Sequence, residues 1–209
     1  MGRLIRSLGH DIRNKLGVIK NSTYYLRLRV GGEDAKIQKH LSILEQEVNA
    51  VNGIITDLMS YAAPKKPVRQ RVQINDLLQR ALARVPVPEG LLQRVDLAPQ
   101  VRDVLADPLQ LEHALTNLLL WATDGLGEGA SLGVSTRQGD DHVDVRIASA
   151  GGTASSQPLD SLLDDNMVGS SYRLALPLIV SRDLIEEHGG VLSLSRQDGV
   201  VVAQVRVFS

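Results

Sequence analysis

The sequence predicts an α+β protein, with a helical hairpin followed by helices packed on one face of a mixed sheet. Heptad-spaced apolar residues fill the first third, Pro64-Lys65-Lys66-Pro67 interrupts the helical pattern, and strand-like and helical segments alternate after it. With 209 residues and 43% apolar content, the chain can bury one large core or two small ones. We expect a hairpin domain over 1–63, a linker over 64–72 and a second domain over 73–209.

Composition excludes several classes of function. The net charge is −1, so the whole chain has no strong field for nucleic acid or a membrane surface. The absence of cysteine excludes a disulfide framework, a thiolate metal site and cysteine catalysis. No apolar run reaches the roughly eighteen residues that cross a bilayer, and no signal peptide is recognisable. We therefore expect a cytoplasmic protein without nucleic-acid or membrane partners.

The first domain is predicted to be two antiparallel helices. Apolar residues in 37–59 recur at alternating steps of four and three, and those in 4–29 recur more loosely. Residues 31–34 form a Gly-Gly-Glu-Asp turn between them. Two helices alone bury too little surface, so we expect two hairpins to form a dimeric four-helix bundle. The seam of the second helix is Ile37, Leu41, Leu44, Val48, Val51, Ile55 and Leu58.

The second domain alternates helical and extended segments. Asp107 and Pro108 predict the start of a helix, since aspartate is a preferred N-cap and proline is favoured at the first helical position. Asp198-Gly199 predicts the turn of a final hairpin. The expected helices are 74–85, the one that starts at Pro108, and 172–188; the extended segments are 91–97, 101–106, 130–136, 142–148, 191–196 and 200–207; and 149–171 is a loop.

His10 is the strongest candidate for chemistry in the first helix. It lies off the apolar seam, so we expect it to face solvent or a partner, and Asn14 shares its helical face. Asp11 could bind one ring nitrogen and leave the other free to attack, which is how an imidazole becomes a nucleophile. The pattern alone leaves open that His10 is an ordinary surface histidine.

Three segments in order resemble sensor histidine kinases: LGHDIRNKLGVIKNSTYYLRLR, DPLQLEHALTNLL and LIEEHGG. The first is similar to the phosphoacceptor box, His-Asp/Glu-x-x-Asn/Thr-Pro-Leu. The resemblance covers nearly the whole chain, and it implies a second domain with the α/β sandwich of the kinase ATP-binding domain. It also implies that His10 is phosphorylated, that Asp11 orients and deprotonates it, and that Asn14 positions the attacking group. Lys15 stands where the family has proline.

The resemblance also implies an ATP and magnesium site, and this chain departs from that site at most of its positions. Magnesium prefers hard oxygen ligands, whereas the family's metal-binding asparagine is replaced by an indole. The loop that reads adenine lacks its aspartate, and two glycines near the phosphates are replaced by larger residues. The retained residues are Asn117, Gly151 and Gly169; the replacements are Trp121, Ser149, Thr153, Ser171 and Arg173. We therefore expect ATP and magnesium binding to be lost.

Residues 1–30 carry seven lysines and arginines against one aspartate. They are either a solvated helix face or a basic collar that attracts an acidic partner. The candidate docking residues are Arg6, Arg13, Lys15 and Lys20. The histidines outside this segment lack paired metal spacing, Glu112 and His113 are interpreted as helix surface, and the glycines of 125–129 are interpreted as a turn rather than a phosphate loop.

These observations favour a dimeric histidine phosphotransferase on a histidine-kinase scaffold. His10 would carry a phosphoryl group between the aspartates of response-regulator receiver domains, one of them possibly part of an upstream hybrid kinase. The receivers would bring their own magnesium, so the chain itself would need no cofactor. The alternatives are an ATP-dependent kinase core with a divergent pocket, and a non-enzymatic adaptor or inhibitor of a kinase or response regulator.

Overall fold

The computed structural model describes residues 2–30, 34–62, 65–152 and 172–208, and of residues 2–11 and 172–174 it describes the backbone alone. The chain divides into two compact units, Met1–Lys65 and Lys66–Ser209. The division falls inside the Pro-Lys-Lys-Pro segment, where proline cannot continue the preceding helix.

The first unit is a pair of packed helices, α1 (Gly2–Val30) and α2 (Ala35–Ala62). Asp34 caps α2, because its Oδ1 accepts the backbone N–H groups of Lys36 and Ile37 at 2.9 and 3.2 Å. The buried apolar residues of α2 are Leu41, Val48 and Ile55, one in every heptad. The alternate seam positions remain exposed within this single chain.

The second unit is built on a mixed five-stranded sheet of order β2-β4-β5-β7-β6, with β1 and β3 paired in a separate two-stranded sheet. Strand β2 runs parallel to β4 and the other neighbours are antiparallel. The strands are β1 (Gln70–Val72), β2 (Leu92–Asp96), β3 (Val104–Ala106), β4 (Ser131–Gln138), β5 (His142–Ala150), β6 (Val191–Gln197) and β7 (Val200–Phe208), and the helices are α3 (Ile74–Arg84), α4 (Pro108–Thr123) and α5 (Tyr172–Glu187).

One core fills the second unit. Alternate residues of β4, β5 and β7 are buried, as expected for strands with one covered face, and α4 contacts both β5 and β7. Helix α4 also packs against α3 and α5, and most of its side chains are buried. The sequence prediction of helices on one face of a mixed sheet is confirmed.

The predicted helix N-cap and the predicted hairpin turn are also confirmed. The Asp107 side chain accepts the N–H groups of Leu109 and Gln110 and caps α4. Asp198 (φ 51°) and Gly199 (φ 77°) both adopt the left-handed conformation that the tight turn between β6 and β7 requires.

Two local predictions need correction. Strand β1 lies within the segment expected to be linker, because its three residues pair with β3. Glu112 is not a surface residue: its side chain is 5% exposed and lies 2.7 Å from both Arg80 and Arg84. A helical carboxylate can be buried when two guanidinium groups from the neighbouring α3 compensate its charge.

Candidate functional site

The segment that resembles a phosphoacceptor box lies in the first half of α1. His10 and Asp11 belong to this helix, and their side chains, like that of Arg6, lie outside the described residues. Asn14 and Lys15, one turn further on, are exposed. An imidazole and an amide four residues apart share one helical face, so the backbone places position 10 beside an accessible polar side chain.

Three basic residues of α1, spaced seven apart, donate hydrogen bonds to α2. Arg13 Nη2 lies 2.8 Å from Thr56 Oγ1, Lys20 Nζ lies 3.4 Å from Asn49 Oδ1, and Arg27 Nη2 lies 3.1 Å from Ser42 Oγ. We call these pairs the polar rungs of the hairpin. The heptad spacing of the three cations was the signal for this role, which the sequence analysis missed.

Two of the four candidate docking residues, Arg13 and Lys20, take part in the polar rungs. Arg13 is half-buried, and both Arg13 and Lys20 contact α2 through their charged ends. Lys15 lies between them in the sequence and is exposed. Among the docking candidates with described side chains, Lys15 is therefore the cation that takes no part in a polar rung.

Trp121 occupies the position where the resemblance implies a magnesium ligand. It is 2% exposed in α4, and among the described residues its Nε1 has no hydrogen-bond partner. An indole presents an N–H donor and no oxygen, so this position offers nothing that Mg²⁺ prefers as a ligand. Its ring instead belongs to the hydrophobic core of the second unit.

Asn117, one turn before Trp121, is the retained asparagine of this helix. It is buried, and its Nδ2 lies 3.5 Å from the backbone oxygen of Pro177 in α5. That carbonyl also accepts a hydrogen bond from Ser181 Oγ at 2.7 Å. Ser181 Oγ also lies 3.2 Å from the carbonyl oxygen of Ala114 in α4, so the side chains of Asn117 and Ser181 connect the two helices.

Ser149 and Gly151 lie at the end of β5, where the resemblance implies an adenine-reading loop. Ser149 is 2% exposed and is paired in register with Leu132 and Val201. A hydroxyl here carries no charge, unlike the carboxylate of the family. Gly151 has a φ of +93°, a backbone conformation that favours glycine, and a Cβ at this position would make a tight contact of 3.1 Å with the Cβ of Ala130.

The last predicted positions are described partly or not at all. Thr153, Gly169 and Ser171 lie outside the described residues, as does most of the predicted loop 149–171. Arg173 lies in the first turn of α5, with its backbone alone described. Residues 125–129 form the turn predicted for them, with Gly125 and Gly129 at positive φ.

The described part of the chain lacks a cluster of metal-ligating side chains and a membrane-spanning helix. No group of three or more histidine, aspartate or glutamate side chains there could hold a metal ion. None of the helices in this described part has an apolar stretch long enough to cross a bilayer.

No protein-family model matches the chain. It is 25% identical over 205 residues to the sensor histidine kinase ZraS of Escherichia coli strain K12, an alignment that covers 95% of this chain and 43% of the relative. The chain therefore spans less than half the length of the curated relatives it matches first.

Two solved structures extend the likeness to the fold. Full-length ShkA, in complex with AMPPNP, matches 99% of this chain and 46% of that protein with a TM-score of 0.69 and 17% identity. Histidine kinase ThkA, in complex with the response regulator protein TrrA, matches 99% of this chain and 61% of that chain with a TM-score of 0.64 and 17% identity. The homologues and structural neighbours of this chain are sensor histidine kinases, a family with a helical N-terminal part and an ATP-binding domain.

Proposed function

We propose that this chain is a histidine phosphotransferase on a histidine-kinase scaffold, which carries a phosphoryl group on His10 between receiver aspartates of response regulators. One observation carries the proposal: Trp121 lies buried where a magnesium ligand is expected, in a fold that is otherwise that of a histidine kinase. The phosphoacceptor sequence is retained in α1, while the nucleotide position on α4 has changed its chemistry.

The replacements at positions 121 and 149 should lower the affinity for ATP. One lost buried hydrogen bond to a ligand costs about 1–3 kcal/mol. Ser149 removes the carboxylate expected to read the adenine amino group, and Trp121 removes an oxygen ligand for magnesium. A combined loss of about 4 kcal/mol lowers affinity roughly a thousandfold. A phosphoryl group that comes from a receiver aspartate instead of ATP avoids this loss.

The transfer step needs little from the second unit. The unprotonated ring nitrogen of His10 attacks the phosphorus of the aspartyl phosphate, so a P–N bond forms as the P–O bond to the aspartate breaks. The receiver regains its carboxylate. Asp11 holds the proton on the other ring nitrogen, which keeps the attacking nitrogen free, and the receiver brings its own magnesium. Transfer to a second receiver reverses the same bond changes.

A homodimer through the hairpin is part of the proposal. Within α2 the seam residues alternate: Leu41, Val48 and Ile55 are 4–6% exposed, whereas Ile37, Leu44, Val51 and Leu58 are 38–47% exposed. In α1, Ile12, Ile19 and Leu26 form a second exposed stripe, again spaced seven residues apart. Two such stripes on one hairpin match the apolar surface that a second hairpin would cover.

The decisive experiment is transfer of label from a receiver. The full chain is incubated with a candidate receiver whose aspartate carries radiolabelled phosphate, and phosphohistidine is identified as acid-labile, base-stable label. We expect label on the wild-type protein and none on His10→Ala. His40→Ala is the matched control, because His40 is exposed on α2 and plays no part in the proposal. Label on His10→Ala at the wild-type rate would refute the phosphotransferase.

A working ATP-dependent kinase core is the second candidate, because the chain is related to sensor histidine kinases across both units. The same assay separates the two functions when labelled ATP and magnesium replace the receiver. Label on His10 from ATP alone would favour the kinase. If His10 takes label from neither donor, the non-enzymatic adaptor is preferred.

A further inference from the structure

The five-stranded sheet has a second face, on the side opposite its buried core residues, which we call the outer face. Its residues alternate with core residues along β4, β5 and β7, and the register aligns them across strands: Arg137 with Asp144, and Asp144 with Arg206. Arg94 and Asp96 of β2, a strand that is exposed throughout, are aligned with Gly133 and Ser135 of this face. Six charged residues lie on this face, with an excess of positive charge: Arg94, Arg137, Arg146, Arg206, Asp96 and Asp144.

Both aspartates of the outer face are already compensated. Asp96 Oδ2 lies 2.7 Å from Arg137 Nη2, and Asp144 Oδ1 lies 3.1 Å from Arg206 Nε. The hydrogen bond and charge of Arg137 hold the pKa of Asp96 below its usual value, so this carboxylate is ionised at neutral pH. The two ion pairs leave the charges of Arg94 and Arg146 in excess.

Arg146 lies on β5 in the central part of the outer face, two residues beyond Asp144 on the same strand. It is exposed and is aligned with Ser135 on one side and Gln204 on the other. No described residue forms a hydrogen bond or an ion pair with its guanidinium. An exposed guanidinium retains the full fork of donors that binds a carboxylate through two hydrogen bonds.

Small side chains lie between Arg146 and Arg94, namely those of Ser135, Gly133 and Ala148. Gly133 and Ala148 are aligned with each other one pleat further along, beside Val202 on β7. Arg94 is aligned with Gly133 on the opposite side. Strand spacing places the Cα atoms of Arg94 and Arg146 about 12 Å apart. A flat surface with two separated cations and apolar residues between them suits an extended protein segment.

We propose that the outer face is a docking surface for a partner protein, which brings carboxylates to Arg146 and Arg94 over the small residues between them. Charge complementarity selects the partner, because two positive charges remain after the internal ion pairs are formed. A nucleic acid fits less well, since its continuous phosphates would meet Asp96 and Asp144 beside the same arginines. This inference does not depend on transfer at His10.

The test uses the full chain and a short fluorescein-labelled peptide of alternating glutamate and valine, with the glutamine analogue as the neutral peptide. Anisotropy measures affinity, and amide shifts in NMR spectra map the contact. We expect the acidic peptide to bind with a submillimolar Kd and the neutral peptide not to bind. The acidic peptide should shift the amide signals of Ser135, Arg146 and Gln204. Arg146→Glu should weaken binding by at least about tenfold, and Arg146→Gln by less.

Arg196→Glu is the matched control. Arg196 is exposed in β6 but is aligned with buried Val201, so it belongs to the opposite side of the sheet. Its reversal should change affinity less than about twofold. The proposal is overturned if the acidic peptide fails to bind near 1 mM, if both Arg146 variants bind like wild type, or if a DNA duplex binds more tightly through Arg146. Thermal melts confirm that each variant is folded before it is scored.

Discussion

Nε2 of His188 lies 2.9 Å from the backbone nitrogen of Asp107 and accepts its hydrogen. The other ring nitrogen, Nδ1, lies 2.6 Å from the carbonyl oxygen of Leu184 and must donate, because a carbonyl only accepts. These two contacts place the lone pair on Nε2 and a hydrogen on Nδ1, so both ring nitrogens have partners. His188 connects the last turn of α5 to the first turn of α4, and it is buried.

The first prediction concerns this connection. His188→Ala should lower the free energy of unfolding by about 2–3 kcal/mol, because it leaves the Asp107 N–H unpaired and opens a cavity. His188→Gln should lose less, since its amide oxygen can reach a similar position to Nε2. Urea denaturation followed by circular dichroism measures both. Equal losses in the two variants would show that packing, rather than the hydrogen bond, is responsible.

The second prediction concerns the ionisation of Asp107. Burial opposes its charge, but hydrogen bonds from the backbone N–H groups of Val68, Gln110 and Leu109 outweigh burial and lower its pKa. Its contribution is therefore fully present above the unfolded pKa of about 3.9 and is lost as pH falls through the lower, folded value.

Asp107→Asn removes the charge and keeps one oxygen that can cap α4, but its amide nitrogen cannot accept the Val68 N–H that Asp107 Oδ2 accepts at 2.8 Å. Wild type should exceed the variant in free energy of unfolding by about 1 kcal/mol near neutral pH. The gap should shrink as the pH falls below about 4. Denaturation curves over this range measure the gap, and one that stays constant into acid would contradict the assigned direction of the pKa shift.

Much of this fold could be predicted from local chemistry. The N-cap at Asp107, the turn at Asp198-Gly199 and the alternation of β4 and β5 each depend on residues close in sequence. The burial of Glu112 could not be predicted, because its two arginines lie on α3, about thirty residues earlier. Strand β1 was not predicted for a similar reason. Two of its three residues are polar, and the segment becomes a strand only because β3 supplies backbone hydrogen-bond partners.

The candidate site shows the same limit. The charge excess of residues 1–30 left open whether Arg13, Lys15 and Lys20 belong to a solvated face or to a basic collar, but the packing of α2 decides which of these cations have polar partners. A helical wheel identifies a shared face; it does not identify the residues that an antiparallel neighbour offers to that face.

The third prediction concerns the exposed half of the α2 seam. Changing Leu44 and Val51 together to Asp should give monomers or unfolded chain, because charges at both positions would have to be buried in a dimer. Sedimentation velocity at micromolar concentration gives the oligomeric state. Gln46→Asp with Ala50→Asp is the control, since both residues are exposed and lie off the seam. A wild-type protein that sediments as a monomer would refute the dimer.

The fourth prediction concerns nucleotide binding. Calorimetry with ATP and magnesium should detect no micromolar affinity for the wild-type chain. Trp121→Asn should still fail to bind, because Ser149 lacks the adenine-reading carboxylate, and should lower stability by about 3–5 kcal/mol through loss of a buried ring. Micromolar binding by the wild-type protein would contradict the proposed phosphotransferase and favour the kinase.

The last prediction concerns Lys15, which is exposed in α1 one turn beyond His10. Receiver domains, by the family resemblance, present acidic residues around their phosphorylated aspartate, so a cation here should attract them. Lys15→Asp should slow transfer to His10 at low receiver concentration by about three- to tenfold and leave the rate at saturation nearly unchanged. The variant should also depend less on salt, since one screened attraction has been removed.

Two controls make the Lys15 result specific. Lys39→Asp changes an equally exposed cation on α2, far along the hairpin from position 10, and should leave transfer close to wild type. Lys20→Asp removes a polar rung with Asn49 and should lower thermal stability as well as affinity. No hydrogen bond or ion pair joins Lys15 to another side chain among those described in the hairpin. A loss of stability without slower transfer would therefore assign Lys15 a structural role and remove it from the docking surface.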